Sequence, residues 1–283
     1  TIKYNSSGTQ QWVQRYDGPV TGNDYATAMV LDDAANVYVT GHSPGNGTQT
    51  DYATIKYDSS GVEQWVTRYN GPASSYDVAS SIALNGSGNV YVTGYSMSSS
   101  SFGTEDYATI KYNSSGVQQW ASIYNGPGNW NDEAYSIAVD DSDNVYVTGG
   151  SLGSVSVDYA TVKYNINGVQ QWVQRYHWNA NQAAYALKIV VDGSANVYVT
   201  GYTIQPAYTT IKYNTSGVQQ WLQQYNRNLT SWDYASAIAI DSLGNVYVTG
   251  KSSNGTTYDY ATIKYTQTPT SVESLSMQVL NEF

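Results

Sequence analysis

The hexapeptide NVYVTG occurs five times in this chain of 283 residues, and this repeat limits the possible folds more than any other feature. Its copies begin at Asn36, Asn89, Asn144, Asn196 and Asn245, at spacings of 53, 55, 52 and 49 residues. A YATIKY-like segment and a segment containing Gln-Trp recur in step with it. A period of this length is typical of solenoids and propellers, in which each repeat buries its apolar face only against its neighbours.

Each repeated element alternates β-branched or aromatic residues with small or polar ones, which is the pattern of a strand with one face on a core. We name the four predicted strands of a repeat A (the YATAMVLD type that begins at Tyr25), B (NVYVTG), C (YATIKY) and D (QQWVQRY). Short Asp-, Asn-, Ser- and Gly-containing segments between them predict hairpin turns. The sequence therefore predicts an all-β fold, a β-propeller of five blades with four antiparallel strands each.

Strand C occurs six times, whereas A, B and D occur five times. We therefore expect strands from both termini to close the ring, with strand D of residues 10–16 completing the blade formed by the last A, B and C strands. This arrangement leaves residues 1–4 as a surplus strand, through which an oligomer could form by strand addition.

The segment DYATIKYNSSGVQQW, together with the Asp-x-x-Gly-Asn turn and NVYVTG, resembles the repeats of the bacterial SBBP β-propeller family. The resemblance extends through Tyr265 and implies a fold rather than an activity, because propellers carry many functions. We expect a propeller over residues 1–265 and a Thr/Pro/Ser-rich linker over 266–283. This linker is similar to the segment before type IX secretion sorting domains, which implies a secreted bacterial protein, extracellular or on the cell surface.

Composition excludes some partners. With 12 Lys and Arg residues and a net charge of −10, the chain lacks the basic surface that nucleic acids require. The sequence contains no run of 18 apolar residues, so membrane insertion is not expected. The absence of Cys is compatible with an extracellular location.

The B–C and D–A loops differ in every repeat, whereas the A–B and C–D turns are nearly uniform. In a meander blade the two variable loop types lie on one face, where we expect a ligand site. Its predicted aromatic and cationic residues are Trp130, Trp178, Trp232, Tyr76 and Lys188. Indole rings suit a sugar ring, although each Trp could equally cap its own blade, and Lys188 could bind an anionic ligand or pair with a neighbouring acid.

Most acidic residues belong to the repeat. One set begins strand A (Asp24, Asp77, Asp132 and Asp233), and the other begins strand C (Asp51, Asp106, Asp158 and Asp259). The fourth repeat has Ala184 and Ala207 instead. Their joint replacement suggests a shared structural partner, either loop amides or a bound cation. No cofactor is predicted, although this pattern leaves room for a structural calcium ion.

Glycoside hydrolysis uses two carboxyl groups, and Glu105, Glu133 and Asp132 are the candidate catalytic acids of the variable face. His42 and His177 are weak candidate metal ligands, since two histidines without a spacing motif are better explained as solvated surface residues.

Three hypotheses remain open from the sequence. The leading one is a non-catalytic module that binds a glycan or a protein through the variable loops. The alternatives are a polysaccharide-active enzyme and a structural protein that assembles through its surplus strand.

Overall fold

The computed structural model describes residues 1–101, 103–179, 182–204, 207–227, 232–267 and 275–281. Every helix or strand in these ranges is a β-strand. The strands are β1 (Ile2–Tyr4), β2 (Gln10–Val13), β3 (Tyr25–Leu31), β4 (Val37–Pro44), β5 (Thr50–Tyr57), β6 (Glu63–Tyr69), β7 (Asp77–Leu84), β8 (Val90–Met97), β9 (Glu105–Tyr112), β10 (Gln118–Tyr124), β11 (Asp132–Val139), β12 (Val145–Leu152), β13 (Val157–Tyr164), β14 (Gln170–Tyr176), β15 (Ala184–Val191), β16 (Val197–Thr203), β17 (Ala207–Tyr213), β18 (Gln219–Tyr225), β19 (Asp233–Ile240), β20 (Val246–Ser253), β21 (Tyr258–Gln267) and β22 (Leu275–Asn281).

These strands form five four-stranded meanders and one two-stranded sheet. We call the meanders sheet 1 (β3–β6), sheet 2 (β7–β10), sheet 3 (β11–β14), sheet 4 (β15–β18) and sheet 5 (β19–β22), and the two-stranded sheet the terminal hairpin (β1–β2). The predicted all-β architecture of repeated four-stranded antiparallel sheets is confirmed. The described part of the chain contains no helix long and apolar enough to cross a membrane.

The chain divides into two compact units, Thr1–Ala134 and Tyr135–Phe283. Unit 1 contains the terminal hairpin, sheet 1, sheet 2 and the first residues of β11. Unit 2 contains the rest of sheet 3 and sheets 4 and 5.

The predicted five-bladed ring, closed by shared terminal strands, is wrong in its strand pairing. The described residues form six sheets, because β2 pairs with β1 and β21 pairs with β22. A short turn joins β1 to β2, and pairing across a short loop has a smaller entropic cost than pairing strands from distant parts of the chain. Residues 266–283, expected to be a linker, include the fourth strand of sheet 5.

Tyrosines form much of the core. In unit 1, Tyr52 is 1% exposed and its hydroxyl donates a 3.2 Å hydrogen bond to the carbonyl of Ala108 in the next sheet. In unit 2, Tyr159 makes the equivalent bond to the carbonyl of Thr209 at 3.1 Å. The phenol ring supplies apolar area while its hydroxyl finds a buried acceptor, so the strand-C Tyr joins sheet 1 to sheet 2 in unit 1 and sheet 3 to sheet 4 in unit 2.

The Trp of strand D also joins neighbouring sheets. The indole nitrogen of Trp65 donates to the carbonyl of Ser114 at 3.1 Å, and its ring lies against Gly116. A Cβ atom at Gly116 would stand only 2.7 Å from that ring. The Gly of the C–D turn is therefore needed for close packing as well as for its positive φ of 79°.

Candidate functional site

A cavity of about 260 Å³ lies in unit 1, between the terminal hairpin and sheet 1. Apolar side chains such as Ile55 and Tyr57 form part of its wall. Its polar lining includes Arg15, Asp24 and His42. A mostly apolar wall with a few convergent polar groups is the usual composition of a small-molecule site.

His42 is placed in the cavity by the register of sheet 1. It follows NVYVTG directly in β4, opposite Tyr25 of β3, and the two rings stack with centroids 5.0 Å apart. Its Nδ1 atom is buried and has no hydrogen-bond partner in the protein. Burial lowers the pKa of His42 below the ordinary 6.5, because a desolvated imidazolium is less stable than the neutral ring. His42 is therefore neutral at pH 7 and able to accept a proton.

Asp24 contributes a carboxylate that is only partly engaged. Its Oδ2 accepts a 3.2 Å hydrogen bond from the amide of Gly18, which closes the loop before β3. In sheet 2, Asp77 closes the same loop by accepting from the amide of Gly71 at 2.7 Å. The second oxygen of Asp24, Oδ1, is buried and accepts no hydrogen bond from the protein. Asp24 therefore has a structural role in closing this loop, and it also lines the cavity.

Arg15 brings a positive charge to the cavity. It occupies the repeat position of Arg68 and Arg175, which pair with the strand-C acids Asp51 at 3.1 Å and Asp158 at 2.8 Å. No ion pair to Arg15 occurs in the described ranges, and its side chain is exposed. Its guanidinium is thus available to an anionic or carbonyl-bearing ligand.

The three candidate catalytic acids also lie in unit 1 but do not line this cavity. Burial, followed by the charges of Glu133 and Glu105, raises the pKa of the Tyr95 phenol, so both carboxylates lie in its electrostatic range. Asp132 is completely buried and accepts a hydrogen bond from the amide of Gly126, as Asp77 does from Gly71. The repeated strand-A acids therefore share loop amides as their structural partners.

The aromatic candidates are divided between the two units. In unit 1, Trp130 is 56% exposed and lies over Gly103, while Tyr76 is exposed. In unit 2, Trp178 is partly buried against the core and Trp232 stacks on Tyr234 with ring centroids 5.8 Å apart. Lys188, also in unit 2, is exposed on β15. Neither unit brings all of these side chains together.

The two histidines are in different settings. His42 lines the cavity of unit 1, whereas Nδ1 of His177 in unit 2 lies 2.7 Å from the carboxylate of Asp158. Across the described residues, no group of three His, Asp or Glu side chains is arranged to hold a metal ion.

Sequence reasoning did not connect His42, Asp24 and Arg15. The burial of His42 could not be read from the chain, since it depends on how the terminal hairpin packs on sheet 1.

The comparisons with known proteins agree with this fold. The model of the SBBP family, described as a β-propeller repeat, matches residues 64–102, 119–154 and 220–255, so these segments are SBBP-type repeats. No curated protein matches the chain.

Among solved structures, the chain is similar to the periplasmic gluconolactonase of Pseudomonas aeruginosa, with a TM-score of 0.55, 10% identity, and coverage of 99% of this chain and 77% of that one. A second structure, of a protein provisionally assigned as a gluconolactonase, gives a TM-score of 0.47 at 10% identity, covering 99% of this chain and 82% of the other. The second score is too low to support an argument, and the first shows likeness of fold alone.

The expectation of a non-catalytic binding module is wrong by this comparison, since the fold shared over 99% of the chain is found in an enzyme. The chain is thus similar to SBBP-type propeller repeats in three segments and to a gluconolactonase in fold.

Proposed function

We propose that this protein is a hydrolase that opens a small, hydroxylated lactone in the cavity of unit 1. The observation that carries the proposal is the placement of a partly buried histidine with a lowered pKa, His42, in one cavity with Asp24 and Arg15. These residue types supply a base, a hydrogen-bond acceptor and a positive charge, which are the groups that ester hydrolysis uses.

The size of the cavity favours a small substrate. Pockets for drug-sized ligands have volumes of roughly 300–1,000 Å³, and this cavity measures about 260 Å³. A single sugar-sized ring fits such a volume, whereas a polysaccharide needs an extended groove. A glycoside hydrolase is therefore not supported.

The chemistry follows from the three side chains. The imidazole of His42 takes a proton from water as the water oxygen attacks the lactone carbonyl carbon. The tetrahedral oxyanion that forms is stabilised by the guanidinium of Arg15. When the ring C–O bond breaks, the leaving oxygen takes the proton back from the imidazolium, and the product is a hydroxy acid. The free Oδ1 of Asp24 accepts a hydrogen bond from a substrate hydroxyl.

The gluconolactonase of similar fold suggests the first substrate to test, a sugar lactone. That protein is periplasmic, and we extend the same location, outside the cytoplasm, to this chain as part of the proposal.

The test is hydrolysis of glucono-1,5-lactone by the purified chain in a pH-stat at pH 7, with the spontaneous rate subtracted. We expect His42→Gln to lower kcat/KM by about a hundredfold or more, the size of a general-base contribution. His177→Gln is the matched control, because His177 lies in unit 2 and does not line the cavity. A wild-type rate equal to that of buffer, or equal rates for the wild type and His42→Gln, would refute the proposal.

A further inference from the structure

Three sheets hold the strand-C carboxylate with an arginine. Asp51 pairs with Arg68 at 3.1 Å in sheet 1, and Asp158 pairs with Arg175 at 2.8 Å in sheet 3. In sheet 5, Asp259 pairs at 2.6 Å with Arg227, which comes from the preceding loop. The repeated strand-C acid is therefore one half of an ion pair.

Sheet 4 lacks both halves of this pair. Ala207 stands at the position of the acid, and Gln224 stands at the position of the arginine, opposite Thr209. Loss of both partners leaves no buried charge, which is the least costly way for a repeat to lose an ion pair.

Sheet 2 has kept only one half. Asp106 begins strand C and is 4% exposed. In sheet 1, Arg68 lies opposite Ala53 of strand C. The equivalent residue of sheet 2, opposite Ala108, is Ile123. No ion pair of Asp106 is found in the part of the chain that the structure describes. Burial, followed by the neighbouring charges of Asp132 and Glu105, raises the pKa of Asp106 to about 6, although a hydrogen bond from Ser98 acts in the opposite direction.

A second, independent observation lies beside it. In sheets 1 and 3 the arginine also donates to a serine hydroxyl of strand B, Ser43 or Ser151. The equivalent serine of sheet 2, Ser96, faces Asp106 across the strand pair. The residue is 2% exposed, and among the described residues its hydroxyl interacts with the Asp77 carboxylate and the Tyr69 phenol rather than with an arginine.

We infer that the Asp106–Ser96 position of sheet 2 binds the guanidinium group of an external ligand, which takes the place that Arg68 and Arg175 occupy in their own sheets. Isoleucine is too short to reach the carboxylate and has no donor, whereas a planar guanidinium matches the carboxylate and hydroxyl acceptors together. The acidic neighbours Asp132 and Glu105 and the net charge of −10 add to the attraction for a cation. This site is separate from the His42 cavity.

The experiment uses agmatine, which carries a guanidinium and an ammonium group, and 1,4-diaminobutane, which carries two ammonium groups, in calorimetric titrations of the full chain at pH 7.5. We expect the wild type to bind agmatine and to bind 1,4-diaminobutane more weakly. Asp106→Asn should weaken agmatine binding by roughly tenfold or more, the value of a charge-assisted hydrogen bond. Glu63→Gln removes an exposed acid of β6 as the charge-matched control and should leave the affinity unchanged.

The decisive variant supplies the missing group from within the chain. Ile123→Arg should form the ion pair seen in sheets 1 and 3, raise the melting temperature and abolish agmatine binding, whereas Ile123→Leu should do neither. Absence of agmatine binding to the wild type, or equal weakening by Asp106→Asn and Glu63→Gln, would overturn the inference. Because Asp106→Asn is nearly isosteric and removes a buried charge, its result decides the question even if Ile123→Arg fails to fold.

Discussion

The natural difference between sheets 1 and 4 defines a double-mutant test of the buried ion pair. Arg68→Gln removes one partner from Asp51, and Asp51→Ala combined with Arg68→Gln reproduces the residues of sheet 4, Ala207 and Gln224. We expect the single substitution to be the more destabilising of the two, although it changes fewer atoms. The reason is that it leaves a carboxylate buried without its counter-charge.

The magnitude follows from the geometry. Removing one partner of a fully buried pair costs about 3–5 kcal/mol. The side chain of Arg68 is 21% exposed and that of Asp51 is 7% exposed, so we expect a loss at or just below the lower limit of that range, about 2–3 kcal/mol. Arg68 also donates to the carbonyls of Ser43 at 2.7 Å and Pro44 at 3.0 Å, and both variants lose these bonds. The double variant should therefore still lose about 1 kcal/mol.

The assay is urea unfolding followed by tryptophan fluorescence at pH 7. The expected order of stability is wild type, then the double variant, then Arg68→Gln, with about 1–2 kcal/mol between the two variants. Asp51→Ala alone completes the thermodynamic cycle and gives the coupling energy. If the double variant is as unstable as Arg68→Gln or less stable, Arg68 acts through its packing and carbonyl contacts, and the ion-pair argument fails.

Two further predictions concern stability. Burial raises the pKa of Asp106 from 3.8 to about 6. Between these pH values the folded state binds more protons than the unfolded state. The contribution of Asp106 to stability therefore falls as pH rises from about 4 to about 6. Asp106→Asn should thus be more stable than the wild type at pH 7.5 by roughly 2–3 kcal/mol, and the gap should close at pH 4 in urea titrations; an equal gap at both values would contradict this. Gly116→Ala should lower the free energy of unfolding more than Gly88→Ala does, by about 1 kcal/mol or more. Both glycines have positive φ, but only a Cβ at Gly116 would collide with Trp65. Equal losses of melting temperature would show that the Trp65 ring moves freely.

Much of the fold could be predicted because the chain repeats itself. The alternation in NVYVTG and YATIKY is readable in every copy, and the structure places both in strands. Strand β22 could not be recognised by the repeat, because LSMQVLN bears no likeness to QQWVQRY, although it fills the same place beside strand C. Pairing partners were the weaker prediction, since the sequence shows which segments are strands but not that β1 would take β2 as its neighbour.

The site was less predictable for a related reason. Glu105 and Glu133 were named from the sequence as candidate acids of the variable face; the structure places them in β9 and β11, with Tyr95 within electrostatic range of both. Nothing in the chain shows that His42 is partly buried or that Oδ1 of Asp24 has no partner, since these properties depend on packing against the terminal hairpin. The sequence does contain a signal for the arginine partner of the strand-C acids, because Gln224 replaces arginine in the same repeat in which Ala207 replaces aspartate.

Because the repeats of this chain are related to one another, comparing them can separate structural from functional residues. A residue that changes together with its contact, as Ala207 does with Gln224, keeps the repeat free of unpaired charge and needs no ligand to explain it. A residue that changes alone leaves the charge of its contact without a partner, which is destabilising. A group from outside the repeat can then supply the missing partner. Ile123, which stands where sheets 1 and 3 have an arginine, is such a change, and it leaves Asp106 without an arginine partner. This uncompensated charge predicts a cationic ligand group at Asp106.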